Sequence, residues 1–197
     1  MQNYTNCNIV LASGSPRRQE LLRRIGINDF RVVVPDADES CPAGMTAQDT
    51  VAYIACKKAE AAKALTSSAD LVITADTMVF LRNKRLGKPR DEEDAMRILR
   101  QLSGNRHCVC TGVTVRRYDK QICFTTTTDV YFRAVSDAEL RAYIASGEPM
   151  DKAGAYGVQG LGSLLVERID GDFFNVMGLP LLPLSEALRE FRIELLG

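Results

Sequence analysis

The sequence predicts an α/β fold in which helices flank a central mixed sheet. Short apolar runs that suit buried strands alternate with helical patterns in the first half of the chain, and two long extended segments, 107–118 and 121–133, follow. Strands that alternate with helices are typically parallel, whereas two extended segments joined by a short turn form an antiparallel hairpin. The combination favours a mixed sheet over a purely parallel one.

The first half of the chain contains five predicted elements. Ser15 suits the N-cap of a helix and Pro16 its first position, while leucines recur behind them at helical spacing. The elements are a strand at 9–11, a helix from Pro16, a strand at 30–34, a helix from Thr46 to Leu65 and an apolar strand at 70–81.

The second half begins with a helix and the predicted hairpin. Ser136 and Glu139 have the spacing of a capping box, which marks the start of another helix. The elements are a helix at 91–102, the hairpin at 107–133, a helix from 136 to 147, a glycine-rich region at 147–162, a strand at 163–169 and a helix after Pro183.

The composition is that of an ordinary globular chain. Its 197 residues, 46% hydrophobic and 25% charged, suit one domain spanning 1–197 or two closely packed lobes. With 25 basic and 25 acidic residues, no overall basic field points to nucleic acid or an anionic membrane. No apolar run approaches the roughly 20 residues that span a bilayer, and no signal-peptide pattern is present. We expect a cytoplasmic protein without nucleic-acid or membrane partners.

Cysteine and histidine usage restricts the chemistry. Six scattered cysteines without a C-x-x-C pair indicate reduced thiols rather than disulfides or structural zinc. The single histidine, His107, excludes a three-histidine zinc site and an H-E-x-x-H motif, and we expect it at the surface or at a strand edge. Carboxylates, lysines, arginines and a bound metal ion remain as the groups able to catalyse a reaction.

Two arginines open the first helix. Arg17 and Arg18 follow Pro16 and lie beside the positive end of the helix dipole, where each cation costs about 0.3–1 kcal/mol. An anion bound among these arginines and the free backbone N–H groups would remove that cost, as in phosphate sites at helix N-termini. The alternative is that both side chains extend into water.

Asp76 interrupts a strand that should be buried. A lone buried carboxylate is costly, so it must be paired, protonated or bound to a cation. The residue is either a catalytic carboxylate or metal ligand at the end of the sheet, or a strand-end aspartate that caps a loop.

Other charged groups extend this pattern. The acidic turn 36–39 offers oxygens that suit Mg²⁺, Lys57 and Lys58 lie on an alanine-rich helix, and Lys88 stands in a Gly-Lys-Pro turn. Each of these groups could simply be solvated. Taken together, they indicate a metal-assisted enzyme acting on a phosphate ester or anhydride, and the absent Walker motif excludes a P-loop.

The chain resembles the Maf family of nucleoside triphosphate pyrophosphatases over nearly its full length. The resemblance is carried by LASGSPRRQELL at 11–22, ADT at 75–77, GKPRD at 87–91, DKAGAYGVQG at 151–160 and NVMGLP at 175–180. It implies the two-lobed α/β fold of the inosine triphosphate pyrophosphatases (the Maf/Ham1 fold), with a nucleotide in the cleft between the lobes. The implied reaction is hydrolysis of a nucleoside triphosphate to the monophosphate and pyrophosphate, which clears unwanted nucleotides from the pool.

Three positions distinguish subgroups within the resemblance. Arg17, Thr77 and Gln159 match the subgroup that acts on dTTP, UTP and modified pyrimidine nucleotides, whereas the subgroup acting on 7-methyl-GTP has Trp, Gln and Glu there. A glutamine amide can both donate to and accept from the edge of uracil or thymine. One departure is Thr74, where glycine often precedes the ADT triplet.

The resemblance also implies roles. Asp76 would accept the proton of the attacking water or act mainly as a metal ligand, and Glu39 would help to hold Mg²⁺, Mn²⁺ or Co²⁺. Asp151 and Lys152 would form a rim of the cleft, and the glycines beyond them would let the backbone approach the ligand. The residues expected to bind the triphosphate are Ser13, Arg17, Arg18, Lys58 and Lys88.

Two other functions compete with this one. A non-catalytic nucleotide-binding regulator is an alternative, because the family name is tied to inhibition of septum formation and thus to cell-division arrest. A generic phosphatase would instead release orthophosphate. A homodimer is a family expectation only.

Overall fold

A mixed sheet forms the centre of the protein. The structure is a computed structural model that describes residues 7–196. Within that range the sheet has seven strands: β1 (Ile9–Ala12), β2 (Arg31–Val33), β3 (Leu71–Leu81), β4 (Lys84–Leu86), β5 (Arg106–Arg117), β6 (Lys120–Phe132) and β7 (Val166–Asp170). The strand order is β2-β1-β3-β5-β6-β7, with β4 paired to β3. β1 pairs in parallel with β2 and β3, whereas the β3–β4 and β6–β7 pairs are antiparallel, so the predicted mixed sheet is confirmed.

The described residues also form six α-helices. These are α1 (Pro16–Arg24), α2 (Ala47–Ala61), α3 (Glu92–Leu102), α4 (Asp137–Ala145), α5 (Phe173–Met177) and α6 (Leu181–Arg189). The predicted capping box of α4 is confirmed, with Ser136 accepting from the Glu139 backbone and Glu139 from the Ser136 backbone. Thr46 caps α2 by accepting a hydrogen bond from the Asp49 N–H. None of these helices, within residues 7–196, has the length and apolarity needed to cross a membrane.

The chain divides into two compact units. The first runs up to Asp76 and includes Thr111–Thr126 and the segment from Gly178 onwards. The second consists of Thr77–Cys110 and Thr127–Met177. The long strands β3, β5 and β6 each contribute residues to both units.

Helix α2 packs closely against β5 inside the first unit. Val51, Ile54 and Ala55 of this helix are fully buried. A Cβ atom at Gly112 of β5 would lie 2.3 Å from the Val51 carbonyl oxygen, so only glycine fits there. This contact fixes the position of the helix that carries Lys58.

The second unit has its own apolar core, and His107 is buried in it. His107 is 2% exposed, so its expected surface position is wrong. Its ring packs edge-on against Phe132 and Tyr156, and its Nε2 lies 2.9 Å from the Tyr156 hydroxyl. Burial lowers the pKa of His107 to about 4, so the ring is neutral at pH 7.

Three predicted boundaries are corrected. The strand predicted at 163–169 starts at Val166, because Leu161–Leu165 form a 3₁₀ helix whose Leu164 carbonyl accepts from the Arg133 side chain. The sequence RNKR at 82–85 predicts a turn after β3, but its last two residues begin the short strand β4. Helix α6 begins before Pro183, which lies in the first turn, where a missing N–H costs no hydrogen bond.

Candidate active site

Arg18 connects three segments of the first unit. Its Nη1 donates to the Ser13 hydroxyl at 3.0 Å and to the Ala75 carbonyl at 2.9 Å, and its Nε donates to the Gly178 carbonyl at 2.8 Å. Burial lowers the pKa of Arg18 to about 10, although the nearby Asp76 carboxylate opposes that shift. Arg18 therefore holds the loop after β1, the centre of β3 and the start of the α6 segment together. Its expected contact with the triphosphate stays a prediction.

Lys58 joins two carboxylates. Its Nζ lies 2.6 Å from Asp76 Oδ1 and 2.8 Å from Glu39 Oε1. The side chains of Lys58 and Asp76 are 16% and 9% exposed, whereas that of Glu39 is 52% exposed. The structure thus brings together three of the predicted site residues, Asp76, Glu39 and Lys58. The pairing also explains how a carboxylate can occupy an apolar strand.

The second oxygen of Asp76 is available for chemistry. Asp76 Oδ2 is buried and accepts no hydrogen bond from the described residues. A buried acceptor without a donor costs about 1–3 kcal/mol, a cost that a water molecule or a cation would remove. This atom is therefore where a reacting water or a metal ion best fits the site.

The acidic turn is anchored to the same helix. Lys57 Nζ lies 2.8 Å from Asp38 Oδ2 and donates to the Ser40 carbonyl at 3.2 Å. The hydrogen bond from Lys57 holds the pKa of Asp38 well below its usual range. Consecutive lysines of α2 thus bind Asp38 and Glu39, and this double contact places the Glu39 carboxylate beside Asp76.

Thr74 ties strand β3 to helix α2. Its hydroxyl donates to the Ala55 carbonyl at 2.8 Å, and the residue is fully buried. Residues two apart in a strand share one face, so Thr74 and Asp76 both face α2. The departure from the family's glycine therefore adds a hydrogen bond between the elements that carry Asp76 and Lys58.

The other predicted site residues fall in different places. Arg17 is half-buried in the first turn of α1, a turn that contains no acidic residue. Thr77 follows Asp76 on β3 but belongs to the second unit, as do the exposed side chains of Lys88 and Gln159. Within that unit the Gly154 N–H donates to the Gly87 carbonyl at 3.0 Å, which joins the Lys88 loop to the glycine-rich region.

Glu148 organises the backbone of the glycine-rich region, a role that sequence reasoning missed. Its Oε2 accepts from the Leu161 N–H at 2.8 Å, and its Oε1 accepts from the Gly162 N–H at 3.1 Å and from the Tyr143 hydroxyl at 3.0 Å. A Cβ at Gly160 would lie 2.3 Å from Glu148 Oε2. The carboxylate therefore fixes the backbone on the C-terminal side of Gln159. The density of glycines was the available signal, because glycine is favoured where another group approaches the backbone too closely for a Cβ atom.

The predicted rim residues serve the same region. Lys152 Nζ lies 2.6 Å from Asp151 Oδ1 and donates to the Glu148 carbonyl at 2.6 Å. A Cβ at Gly157 would lie 2.7 Å from Lys152 Cε. The structure therefore shows these glycines making room for side chains of the protein itself; their expected approach to a ligand stays a prediction.

The carboxylates of the site suit a divalent cation whose remaining ligands come from water and the substrate. Among residues 7–196 there is no group of three or more histidine, cysteine or acidic side chains placed to hold a metal. Mg²⁺ typically takes only one or two carboxylates and completes its shell with water and phosphate oxygens. Asp76, with its unbonded buried oxygen, and Glu39 supply two such carboxylates.

Comparisons with known proteins identify the family of this chain. The chain belongs to the Maf family, since the family model described as Maf-like protein matches residues 8–191. It is 49% identical over 193 residues to a dTTP/UTP pyrophosphatase of Shewanella sp. (strain MR-7), covering 95% of this chain and 100% of the relative. It is 45% identical over 184 residues to a dTTP/UTP pyrophosphatase of Vibrio parahaemolyticus, covering 93% and 97%.

A solved structure supports the fold. The chain is similar to a HAM1 protein from Coxiella burnetii, with a TM-score of 0.50 and 13% identity over 93% of this chain and 99% of that one. The predicted Maf/Ham1-type α/β fold is confirmed.

Proposed function

We propose that this protein hydrolyses nucleoside triphosphates, with dTTP and UTP as preferred substrates, to the monophosphate and pyrophosphate. The proposal is supported most by Asp76, a buried carboxylate with one oxygen paired to Lys58 and the other unbonded. Relatives of 43–49% identity that carry the name dTTP/UTP pyrophosphatase support the substrate class.

The chemistry follows from these groups. Asp76 Oδ2 accepts a proton from the water that attacks the α-phosphate, while Lys58 holds the other oxygen and orients the carboxylate. The bond between the α-phosphorus and the oxygen that bridges it to the β-phosphate then breaks, and pyrophosphate leaves with the electron pair. Arg17, Arg18 and Lys88 offset the negative charge that builds on the leaving group.

A divalent cation belongs to the proposal. Asp76 and Glu39 are the residues that would hold it, with phosphate oxygens as further ligands. When bound, such a cation neutralises phosphate charge and lowers the pKa of a coordinated water. Mg²⁺, Mn²⁺ and Co²⁺ are all candidates, since oxygen ligands discriminate weakly among them.

Base selection is assigned to the second unit. Gln159 would read the uracil or thymine edge through its amide, which both donates and accepts. Together with Gln159, Arg17 and Thr77 match the residues of the subgroup that acts on dTTP and UTP. A cytoplasmic location is a further prediction from the composition, and a homodimer and a link to cell division are further predictions of that resemblance.

The test is a product assay. Purified protein is incubated with Mg²⁺, Mn²⁺ or Co²⁺ and a panel of canonical and modified nucleoside triphosphates, and pyrophosphate is separated from orthophosphate. We expect pyrophosphate from dTTP and UTP, abolished by a chelator. Orthophosphate as the main product would show a phosphatase, and nucleotide binding without any product would favour the regulator. The non-catalytic regulator is disfavoured, because a protein that only binds a nucleotide has no need of the Asp76 carboxylate held beside Lys58.

A further inference from the structure

Two thiols face each other between helix α2 and strand β6 of the first unit. The Sγ atoms of Cys56 on α2 and Cys123 on β6 are 3.4 Å apart. The Thr114 hydroxyl lies 3.5 Å from the first sulfur and 3.6 Å from the second. A disulfide needs an S–S distance of about 2.05 Å, so the sulfurs would have to approach by only about 1.3 Å.

The surroundings of this thiol pair favour oxidation. The hydrogen bond with Cys123 lowers the pKa of the Cys56 thiol to about 6, although burial opposes the shift. Thiolates, rather than thiols, react with peroxides. Cys123 is exposed on β6, so oxidant can reach the pair from solvent.

A second pair of cysteines in the chain lacks this geometry. Cys108 and Cys110 lie two residues apart on β5, with their sulfurs 4.0 Å apart. The Cβ atoms of residues at that spacing lie on one face of an extended strand, about 6.6 Å apart, whereas the Cβ atoms of a disulfide lie about 3.5–4.5 Å apart. A disulfide there would require the strand to unpair, so this pair is a built-in comparison.

We propose that Cys56 and Cys123 form an oxidation site that a hydroperoxide closes into an intrachain disulfide. The Cys56 thiolate attacks one oxygen of hydrogen peroxide, the O–O bond breaks, and the sulfur becomes a sulfenic acid while hydroxide takes up a proton to form water. The Cys123 sulfur then attacks the sulfenic sulfur, forming the S–S bond, and the departing hydroxyl leaves as a second water with the Cys123 proton. Two thiols and one peroxide thus give one disulfide and two waters.

The disulfide acts on the site through helix α2. Cys56 precedes Lys58 by two residues, and Lys58 Nζ contacts Asp76 at 2.6 Å and Glu39 at 2.8 Å. Because β5 lies between β3 and β6 in the sheet, drawing α2 towards β6 is expected to shift Lys58 relative to Asp76 on β3. This consequence rests on the proposed hydrolysis, and a displacement near 1 Å in an active site can cost up to about a hundredfold in rate. We expect the oxidised protein to hydrolyse UTP at least about tenfold more slowly.

The experiment separates the bond from its effect. The reduced full-length protein is treated with a small excess of hydrogen peroxide and followed by intact mass, peptide mapping and UTP hydrolysis. We expect a mass loss of two hydrogens, a peptide linking Cys56 to Cys123, and slowed hydrolysis that dithiothreitol restores. A linkage between other cysteines, or none, would overturn the proposal whether or not the protein has pyrophosphatase activity.

Matched variants complete the test. Cys123→Ser and Cys110→Ser each remove one thiol and are expected to leave the activity of the reduced protein unchanged. On oxidation, Cys110→Ser should form the disulfide and slow down like the wild type, whereas Cys123→Ser should form none and keep its rate. Equal slowing of both variants would refute the effect on Lys58, and so would a wild-type disulfide that leaves hydrolysis unchanged. A reduced protein inactive on every nucleotide would refute the proposed function while the mass data still decide the oxidation site.

Discussion

Replacement of Asp76 by asparagine probes the centre of the site. Asparagine keeps the shape of the side chain but removes the charge that pairs with Lys58 and the basicity of Oδ2. Asp76→Asn should therefore remove proton transfer while the groups expected to bind the triphosphate stay in place. We expect kcat for UTP to fall about 10²–10⁴-fold, the usual contribution of a positioned general base, with little change in KM.

The effect on stability follows from the ion pair. At the Lys58–Asp76 distance of 2.6 Å, an effective dielectric constant near 20 gives a gross attraction of about 6 kcal/mol. Desolvation offsets most of this, since the two side chains are only 16% and 9% exposed, and Lys58 keeps its contact with Glu39. We expect the free energy of unfolding to fall by about 1–3 kcal/mol. For a chain of this size, that lowers Tm by roughly 2–12 °C.

Asp70 provides the matched control. It is 5% exposed, pairs with Arg31 at 3.1 Å and accepts from the Ser67 N–H at 2.9 Å. Asp70→Asn should lower Tm by a similar amount and leave kcat at the wild-type value. Steady-state kinetics with pyrophosphate detection and thermal unfolding on the same samples give both quantities. A wild-type kcat for Asp76→Asn, or an equal loss of activity in Asp70→Asn, would refute the role of Asp76 as the general base.

Three further changes test other parts of the structure. Glu148→Gln leaves an amide that cannot accept from the same backbone donors, so KM for UTP should rise about tenfold. The preference for UTP over CTP, measured as the ratio of kcat/KM values, should shrink. Unchanged values would show that Glu148 does not position the backbone around Gln159. Burial lowers the pKa of His107 to about 4 in the folded protein, below the value near 6.5 in the unfolded chain. The contribution of the neutral ring to stability, on the order of 3 kcal/mol, is therefore fully present above about pH 6.5 and is lost as the pH falls towards about 4. His107→Phe should therefore show a smaller fall in Tm between about pH 7 and pH 4.5 than the wild type, and equal slopes would contradict this. Gly112→Ala places a Cβ 2.3 Å from a carbonyl of α2 and should cost about 1–3 kcal/mol in urea unfolding, whereas Gly87→Ala, with no atom within 4 Å, should cost less than about 0.5 kcal/mol.

Local signals in the sequence predicted much of the fold. The capping box at Ser136, the cap at Thr46 and the proline at the start of α1 depend on residues three or four apart, so the sequence contains all of the required information. The strand predicted at 163–169 failed for the opposite reason. The backbone of Leu161–Leu165 is bound by Arg133 and Glu148, which are distant in the chain and invisible to a local pattern.

The site shows the same division. Asp76 was identified because a charge in an apolar strand is costly whatever the fold, and this cost required a partner. Which partner it has depended on the packing of α2 against β3, through the hydrogen bond from Thr74 to the Ala55 carbonyl. Glu148 was not identified because it binds the backbone of Leu161 and Gly162, which lie 13 and 14 positions away and beyond the range of a local pattern.

By itself, the sequence determined the α/β class, the helix boundaries set by caps, the family, and the charged residues that the apolar pattern does not accommodate. The tertiary structure alone decided that Lys58 bridges Asp76 and Glu39, that His107 is a neutral core residue, and that Cys56 meets Cys123. The physical reason is range. Caps and periodicity arise from neighbours along the chain, whereas ion pairs, buried hydrogen bonds and thiol contacts form between residues that only folding brings together.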